Sequence, residues 1–280
     1  MSLSWANLMP VNQLLVFLDT DKVAVIKRHH GLGSHTSDQK QATFQGTIET
    51  IEMQTPAWQK TIVELESILY SIQIKPGTRL NITLASEFVR YLSLPPLQIR
   101  MNAAEKLAYV AAAYQDVYGS VINNWEIKLH DAPANETTLA AAIDKKLLAE
   151  LNRIALKHQL ILNSVQPYLM RAFNALASQI DNVSGYLVIV ESKRLLLINL
   201  QDGNYLYLRA YAIGGNWQSE LKNLILREAL LDNSNKREVL IYAPAHKNTV
   251  LNLIDGWQLK LISTLKNVIT DIQYSMLEVA

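Results

Sequence analysis

The sequence predicts an α/β protein with mixed sheets, built from two halves that share an order of elements. Two observations predict it. A hairpin, a third strand, a helix and a further strand follow one another from Leu14 to Leu84, and the same order returns from Tyr186 to Tyr242. The repeat lies in the order of elements and not in the residues themselves. The 280 residues also allow two lobes, each with its own core, while only 8 Pro and 10 Gly leave little for long coil linkers.

Along the chain, Leu14–Asp19 and Val23–Arg28 read as a hairpin across Thr20-Asp21-Lys22, without the Asn-Gly or Asp-Gly pair that marks such turns most strongly. His29–Gln41 reads as a polar loop and Ala42–Met53 as a third strand. Trp58, Ile62, Leu65 and Leu69 then recur at helical spacing, with Thr55 as cap and Pro56 as first helical residue. Pro76-Gly77 ends that segment, and Arg79–Leu84 is a buried strand. A helix over Asn102–Tyr118 presents Leu107, Ala111, Tyr114 and Tyr118 on one face, with Gly119 as its C-terminal cap. Trp125–Leu129 and Thr137–Ile143 are strand candidates. Lys145–His158 follows as a helix burying Leu147, Leu151, Ile154 and Ala155, then strand Ile161–Val165 and helix Tyr168–Ile180. In the second half, Tyr186–Val190 and Leu195–Leu200 pair across Glu191–Arg194, and Asp202-Gly203 turns into Tyr205–Ala212. Gly214-Gly215 breaks that strand. A helix with Trp217, Leu221, Leu224 and Ile225 on one face and a strand over Glu238–Tyr242 complete the pattern.

Composition excludes several kinds of chemistry. The absence of cysteine rules out disulfides, thiolate nucleophiles and Cys-ligated metal sites. With 26 Lys plus Arg against 25 Asp plus Glu, no global field draws the chain to nucleic acid or to an anionic membrane. Met1–Pro10 shows no secretory signal, and runs such as Tyr186–Val190 fall far short of the ~18 apolar residues of a spanning helix. A cytoplasmic protein without direct membrane insertion is expected.

The remaining candidate constellations favour structural roles. His29-His30-Gly31-Leu32-Gly33-Ser34-His35 has metal-ligating and phosphate-cradling residue types, yet no helix follows it and no carboxylate stands at ligand spacing, so a solvated loop is expected. Asp19 and Asp21 fit the capping of a hairpin turn. Lys22–His30 and Lys193-Arg194 lack the aromatic interleaving of a nucleic-acid platform. No Gly-x-Ser-x-Gly elbow, Walker loop or His-Glu-x-x-His helix occurs.

Leu80-Asn81-Ile82-Thr83-Leu84 is followed by Phe88-Val89-Arg90-Tyr91 and Leu94-Pro95. Tyr118-Gly119 precedes Trp125-Glu126, and the strand–turn–strand around Glu191 leads to Leu208-Arg209. With its paired halves, this chain resembles the actin-like (ASKHA) assembly proteins of bacterial type IV pili and type II secretion, of the PilM and MshI kind. The resemblance implies two ribonuclease-H-like lobes: residues 1–181 with an inserted subdomain, and a shorter lobe over 182–280. It implies a cytoplasmic adaptor, peripheral at the inner membrane, whose partners are proteins of the assembly complex, captured through a cytoplasmic tail.

Actin-like ATPases grip phosphate with two hairpin turns, each an acid, a spacer and a glycine that lets backbone N–H groups approach the oxygens. The corresponding turns are Asp19-Thr20-Asp21-Lys22 and Glu191-Ser192-Lys193-Arg194, both without glycine. Where paired glycines usually end the adenine-side strand, Leu240-Ile241-Tyr242 runs into Ala243-Pro244-Ala245. No catalysis and no cofactor are therefore expected. The alternative is a divergent ATPase or sugar-kinase-like phosphotransferase. Asp19, Thr20, Asp21, Lys22, Glu191, Ser192 and Lys193 would then surround Mg²⁺–ATP, with Asp19 and Glu191 on the metal and Lys22 or Lys193 on phosphate.

Overall fold

The computed structural model describes residues 12–29, 42–47, 56–96, 101–130, 136–232 and 237–264. Strands β1 (Asn12–Leu18) and β2 (Lys22–His29) pair antiparallel, with Val16 opposite Val25, and β3 (Ala42–Thr47) pairs antiparallel with β2. Leu14–Leu18 and Val23–Ile26 are all buried, so these strands carry solid apolar runs where a half-exposed sheet would alternate. Helix α1 (Ala57–Ser71) returns the chain, and β4 (Arg79–Leu84) joins parallel to β1 with Val16 beside Ile82. Strand β3 covers Ala42–Thr47; the rest of the expected strand, to Met53, lies outside the described residues, as do Thr55 and residues 30–41 of the expected loop, whose first residue, His29, ends β2 instead.

A small antiparallel sheet comes next. Strands β5 (Val89–Leu94), β6 (Trp125–Leu129) and β7 (Thr138–Asp144) form it in the order β5-β7-β6, after helix α2 (Ala103–Tyr118) has interrupted the strands. Asn102 and Glu105 close a reciprocal capping box at the start of α2, and Gly119 ends it at φ 69°, a left-handed conformation in which a Cβ is costly. The expected face packs in its second half, where Tyr114 and Tyr118 join the core of the small sheet. Val110 and Tyr114 are buried, whereas Leu107 is exposed. A helix of 16 residues rises about 24 Å, more than the 5- to 7-residue strands beneath it span, and its first turns run past their cover.

Helix α3 (Lys145–Lys157) buries the expected Leu147, Leu151, Ile154 and Ala155, and β8 (Ile161–Pro167) completes the first sheet in the order β3-β2-β1-β4-β8. After α4 (Tyr168–Ile180), strands β9 (Gly185–Val190), β10 (Arg194–Gln201) and β11 (Asn204–Ala212), helix α5 (Trp217–Asp232), β12 (Glu238–Tyr242) and β13 (Gln258–Ile262) build the second sheet, β11-β10-β9-β12-β13. Numbered from each lobe's first strand, both orders read 3-2-1-4-5. The repeated element order in the sequence is therefore a repeated sheet topology.

By contacts within the chain, described residues up to Phe88 group with Lys146–Gln166 in one compact unit. Val89–Lys145 and the described residues from Pro167 onward form the other. In the second unit, Leu195, Leu197, Val188 and Ile241 pack against Trp217, Leu221 and Ile225 of α5. Burial of each such side chain contributes about 1.5–3 kcal/mol. A β-bulge between Asn199 and Leu200 shifts the β10–β11 register. Simple alternation would put Tyr205, Tyr207 and Tyr211 on one face. Past the bulge, Tyr207 and Tyr211 join the α5 side, while Tyr205 meets Leu208 and residues of α4.

Candidate functional site

The two acidic hairpin turns are built alike. Each has a two-residue loop, Thr20-Asp21 between paired Asp19 and Lys22, and Ser192-Lys193 between Glu191 and Arg194. The Asp19 N–H donates to the Lys22 carbonyl at 2.9 Å, and the Glu191 N–H donates to the Arg194 carbonyl at 2.9 Å. Among the described non-glycine residues only Gln159, Asn182 and Asp202 have positive φ, so all four loop residues stay in the right-handed or extended regions. The third hairpin differs. Asp202-Gly203, at φ 51° and 79°, forms the tight mirror-image turn that the Asp-Gly pair predicts. The two acidic turns thus lack glycine and also the left-handed backbone that glycine would serve.

Asp19 is fully buried at the end of β1. Its Oδ1 accepts the Thr20 N–H at 2.7 Å, and its backbone carbonyl accepts the Thr61 hydroxyl of α1 at 2.9 Å. The Thr20 hydroxyl donates to Glu87, in the short 3-10 turn Ser86–Phe88, and also faces Asp19 Oδ1 at 3.5 Å. Lys22 Nζ lies 5.9 Å above the Phe17 ring. This first turn is held from α1 and from the 3-10 turn, and the buried Asp19 finds partners for both its carboxylate and its carbonyl. Glu191 is buried as well, with Ser192 exposed and Lys193 half-buried beside it. The Ile213 N–H donates to the Lys193 carbonyl at 2.9 Å, tying the end of β11 to this turn.

Strand β12 ends in buried Tyr242, buried Ala243 follows, and Pro244 opens a 3-10 turn to His246. Proline has no N–H to offer a ligand at that point. The His246 ring stands 5.6 Å from Trp217, and burial lowers its pKa below the usual imidazole value. Among the described residues, no group of three or more His, Asp or Glu side chains is placed to hold a metal. His30 and His35 lie outside the described residues. Sequence reasoning missed Thr61 and Glu87, the supports of the first turn. A buried threonine inside the apolar stripe of α1 was the available signal for one of them.

Two lobes with the 3-2-1-4-5 sheet, each opening on an acidic hairpin, define the actin-like ATPase fold, and this chain has it. The structure is similar to that of a PilM–PilN type IV pilus biogenesis complex, with a TM-score of 0.62 and 10% identity over 90% of this chain and 88% of that one. It is also similar to the cytoplasmic domain of EpsL, an inner-membrane component of the type II secretion system of Vibrio cholerae. There the TM-score is 0.55 and the identity 12%, over 96% of this chain and 94% of the other. A Bacteroides thetaiotaomicron protein with an actin-like ATPase fold and unknown function gives 0.54 and 12%, covering 87% and 85%. Neither a protein-family model nor a curated protein matches the sequence. Among the described residues, no helix is long and apolar enough to cross a membrane.

Proposed function

We propose that this chain is a non-catalytic actin-like adaptor in a type IV pilus or type II secretion assembly complex. It works at the cytoplasmic face of the inner membrane and holds the cytoplasmic tail of a membrane-anchored protein. The observation that carries the reading is the pair of acidic turns. Both keep their acids, Asp19 and Glu191, and both close through non-glycine residues without any left-handed backbone. A phosphate grip of the actin type needs backbone N–H groups turned toward the oxygens at close range. The likeness to the PilM–PilN complex and to the EpsL cytoplasmic domain supports the assembly setting. Tail capture is available through strand addition at a sheet edge or through a helix laid in a groove.

Pull-down with synthetic cytoplasmic tails of inner-membrane proteins encoded beside this chain is the direct test. Specific capture of one tail is the expected result, and capture of none would count against the adaptor. The competing reading, a divergent ATPase, draws on the burial of Asp19 and Glu191 at matching places in the two halves. Calorimetry with Mg²⁺–ATP separates the two readings. Micromolar binding that disappears in both Asp19→Ala and Glu191→Ala would establish the ATPase instead.

A further inference from the structure

We propose that a cavity within the second unit binds a small uncharged aromatic carbonyl compound. The cavity holds about 230 Å³. Its walls are Leu139 of β7, Leu169, Met170 and Phe173 of α4, Ile198 of β10 and Leu208 of β11. Among the described residues, no Lys, Arg, Asp or Glu side chain lines it, so a charged ligand would leave water without compensation.

Size narrows the class further. A dry apolar cavity of about 150 Å³ takes one benzene ring, so this volume suits roughly nine heavy atoms, far fewer than a nucleotide. Phe173 and Tyr205 meet edge to face with centroids 6.1 Å apart, and the His130 ring lies 6.2 Å from Tyr205. Rings at these angles, beside the polarisable Met170 thioether, favour an aromatic guest.

The polar handle is Tyr205. Its hydroxyl oxygen is buried, and among the described residues its proton meets no acceptor. Burial, reinforced by the Glu136 carboxylate, raises the phenol pKa, so the group keeps its proton at neutral pH; the only opposing influence is the Leu139 backbone. A backbone N–H can only donate, so the phenolic proton still needs an acceptor. Buried donors are rarely left without one. A carbonyl oxygen on the guest supplies it, and Asn174 on the cavity wall offers a second, adaptable amide.

The bulge in β10–β11 makes this site, since without it Tyr205 would face α5 with Tyr207. The site is independent of the adaptor reading, because it concerns a small guest inside one unit.

Acetophenone and cumene serve as probes, for they match in shape and only the first carries an acceptor. In the full chain labelled with ¹³C-methyl methionine, the Met170 resonance, identified through Met170→Leu, should shift saturably with acetophenone. In Tyr205→Phe the acetophenone affinity should fall roughly fivefold, the effect of one hydrogen bond. Cumene affinity should stay within about twofold. No saturable Met170 shift in the unaltered chain overturns the proposal, and so does an equal loss for both probes in Tyr205→Phe. If acetophenone never binds but Met170→Trp abolishes capture of a protein tail, the cavity takes a partner's side chain and the proposal fails while the adaptor stands.

Discussion

Replacing Glu228 with alanine should destabilise the second unit by about 3 kcal/mol. Glu228 sits on α5 with no solvent exposure. Its Oε1 accepts the Tyr211 hydroxyl at 2.7 Å and Arg209 Nη1 at 2.9 Å, with Arg227 Nη2 at 3.5 Å. Its Oε2 accepts the Tyr207 hydroxyl at 3.3 Å. Burial, then the bond to Glu228, raises the Tyr211 pKa, so that proton stays in place. A hydrogen bond from Tyr211 to a buried carboxylate contributes about 1.5–3 kcal/mol, and the longer Tyr207 bond about 1 kcal/mol or less. The Arg209 side chain is 44% exposed and regains water when the carboxylate goes, so its share is at most about 1 kcal/mol. Guanidiniums stacked on the rings, Arg209 on Tyr207 and Arg227 on Tyr211 at 5.0 Å each, survive the change. At about 2–4 °C per kcal/mol for a unit of this size, the melting midpoint should fall by roughly 6–12 °C. Glu228→Gln keeps one acceptor oxygen and should cost about half as much. Urea unfolding followed by far-UV circular dichroism at pH 7 measures both. A cost below about 1 kcal/mol for alanine, or a glutamine variant as unstable as alanine, would refute the assignment of this carboxylate as the anchor of α5 on β11.

Two further outcomes follow from the structure. In the first unit, bonds from Lys157 at 2.6 Å and then Arg153 hold the Glu66 carboxyl at a pKa of about 2, below its ordinary 4.5. A depressed acid stabilises the fold above its unfolded value and loses that contribution as pH falls from about 4.5 toward 2. Because both cations are nearly half exposed, the contribution at neutral pH is only about 1 kcal/mol. Acid titration of the melting midpoint should lose slope over that range in Glu66→Gln. Gly185→Ala, at the start of β9, would set a Cβ 2.6 Å from the backbone carbonyl oxygen of Glu238, forcing β9 and β12 apart. A loss of about 1–3 kcal/mol is expected by the same urea assay, and an unchanged midpoint would show that β12 yields freely.

Much of this molecule was legible before any coordinates. Solid apolar runs marked β1, β2, β9 and β10, and the stripe Leu147, Leu151, Ile154, Ala155 marked the buried face of α3. Strand β5 went unnoticed because its six residues of mixed burial give no clear alternation, and β13 because the alternation Gln258-Leu259-Lys260-Leu261 spans only a five-residue strand. Leu107 was assigned to the core of α2, but periodicity tells which face is apolar and not how far its cover extends. Glu228 continues the α5 stripe of Leu221, Leu224 and Ile225, and a lone acid in an apolar row was a readable hint of a buried polar contact. Its donors, Tyr207, Arg209 and Tyr211, stand on another element, so no local pattern announced them.

By itself the sequence determined the kind of elements, their order, its repetition, and the absence of glycine from both acidic turns. Each of these is local: period, turn chemistry and residue type act over a few neighbours along the chain. Tertiary structure alone decided the 3-2-1-4-5 order of both sheets, the negative φ at Thr20-Asp21 and Ser192-Lys193, and the bulge that moves Tyr205. Those depend on which distant strand supplies the hydrogen bonds and which helix supplies the cover. Such pairing is settled by long-range loop closure and burial, which residues near one another in the chain do not encode.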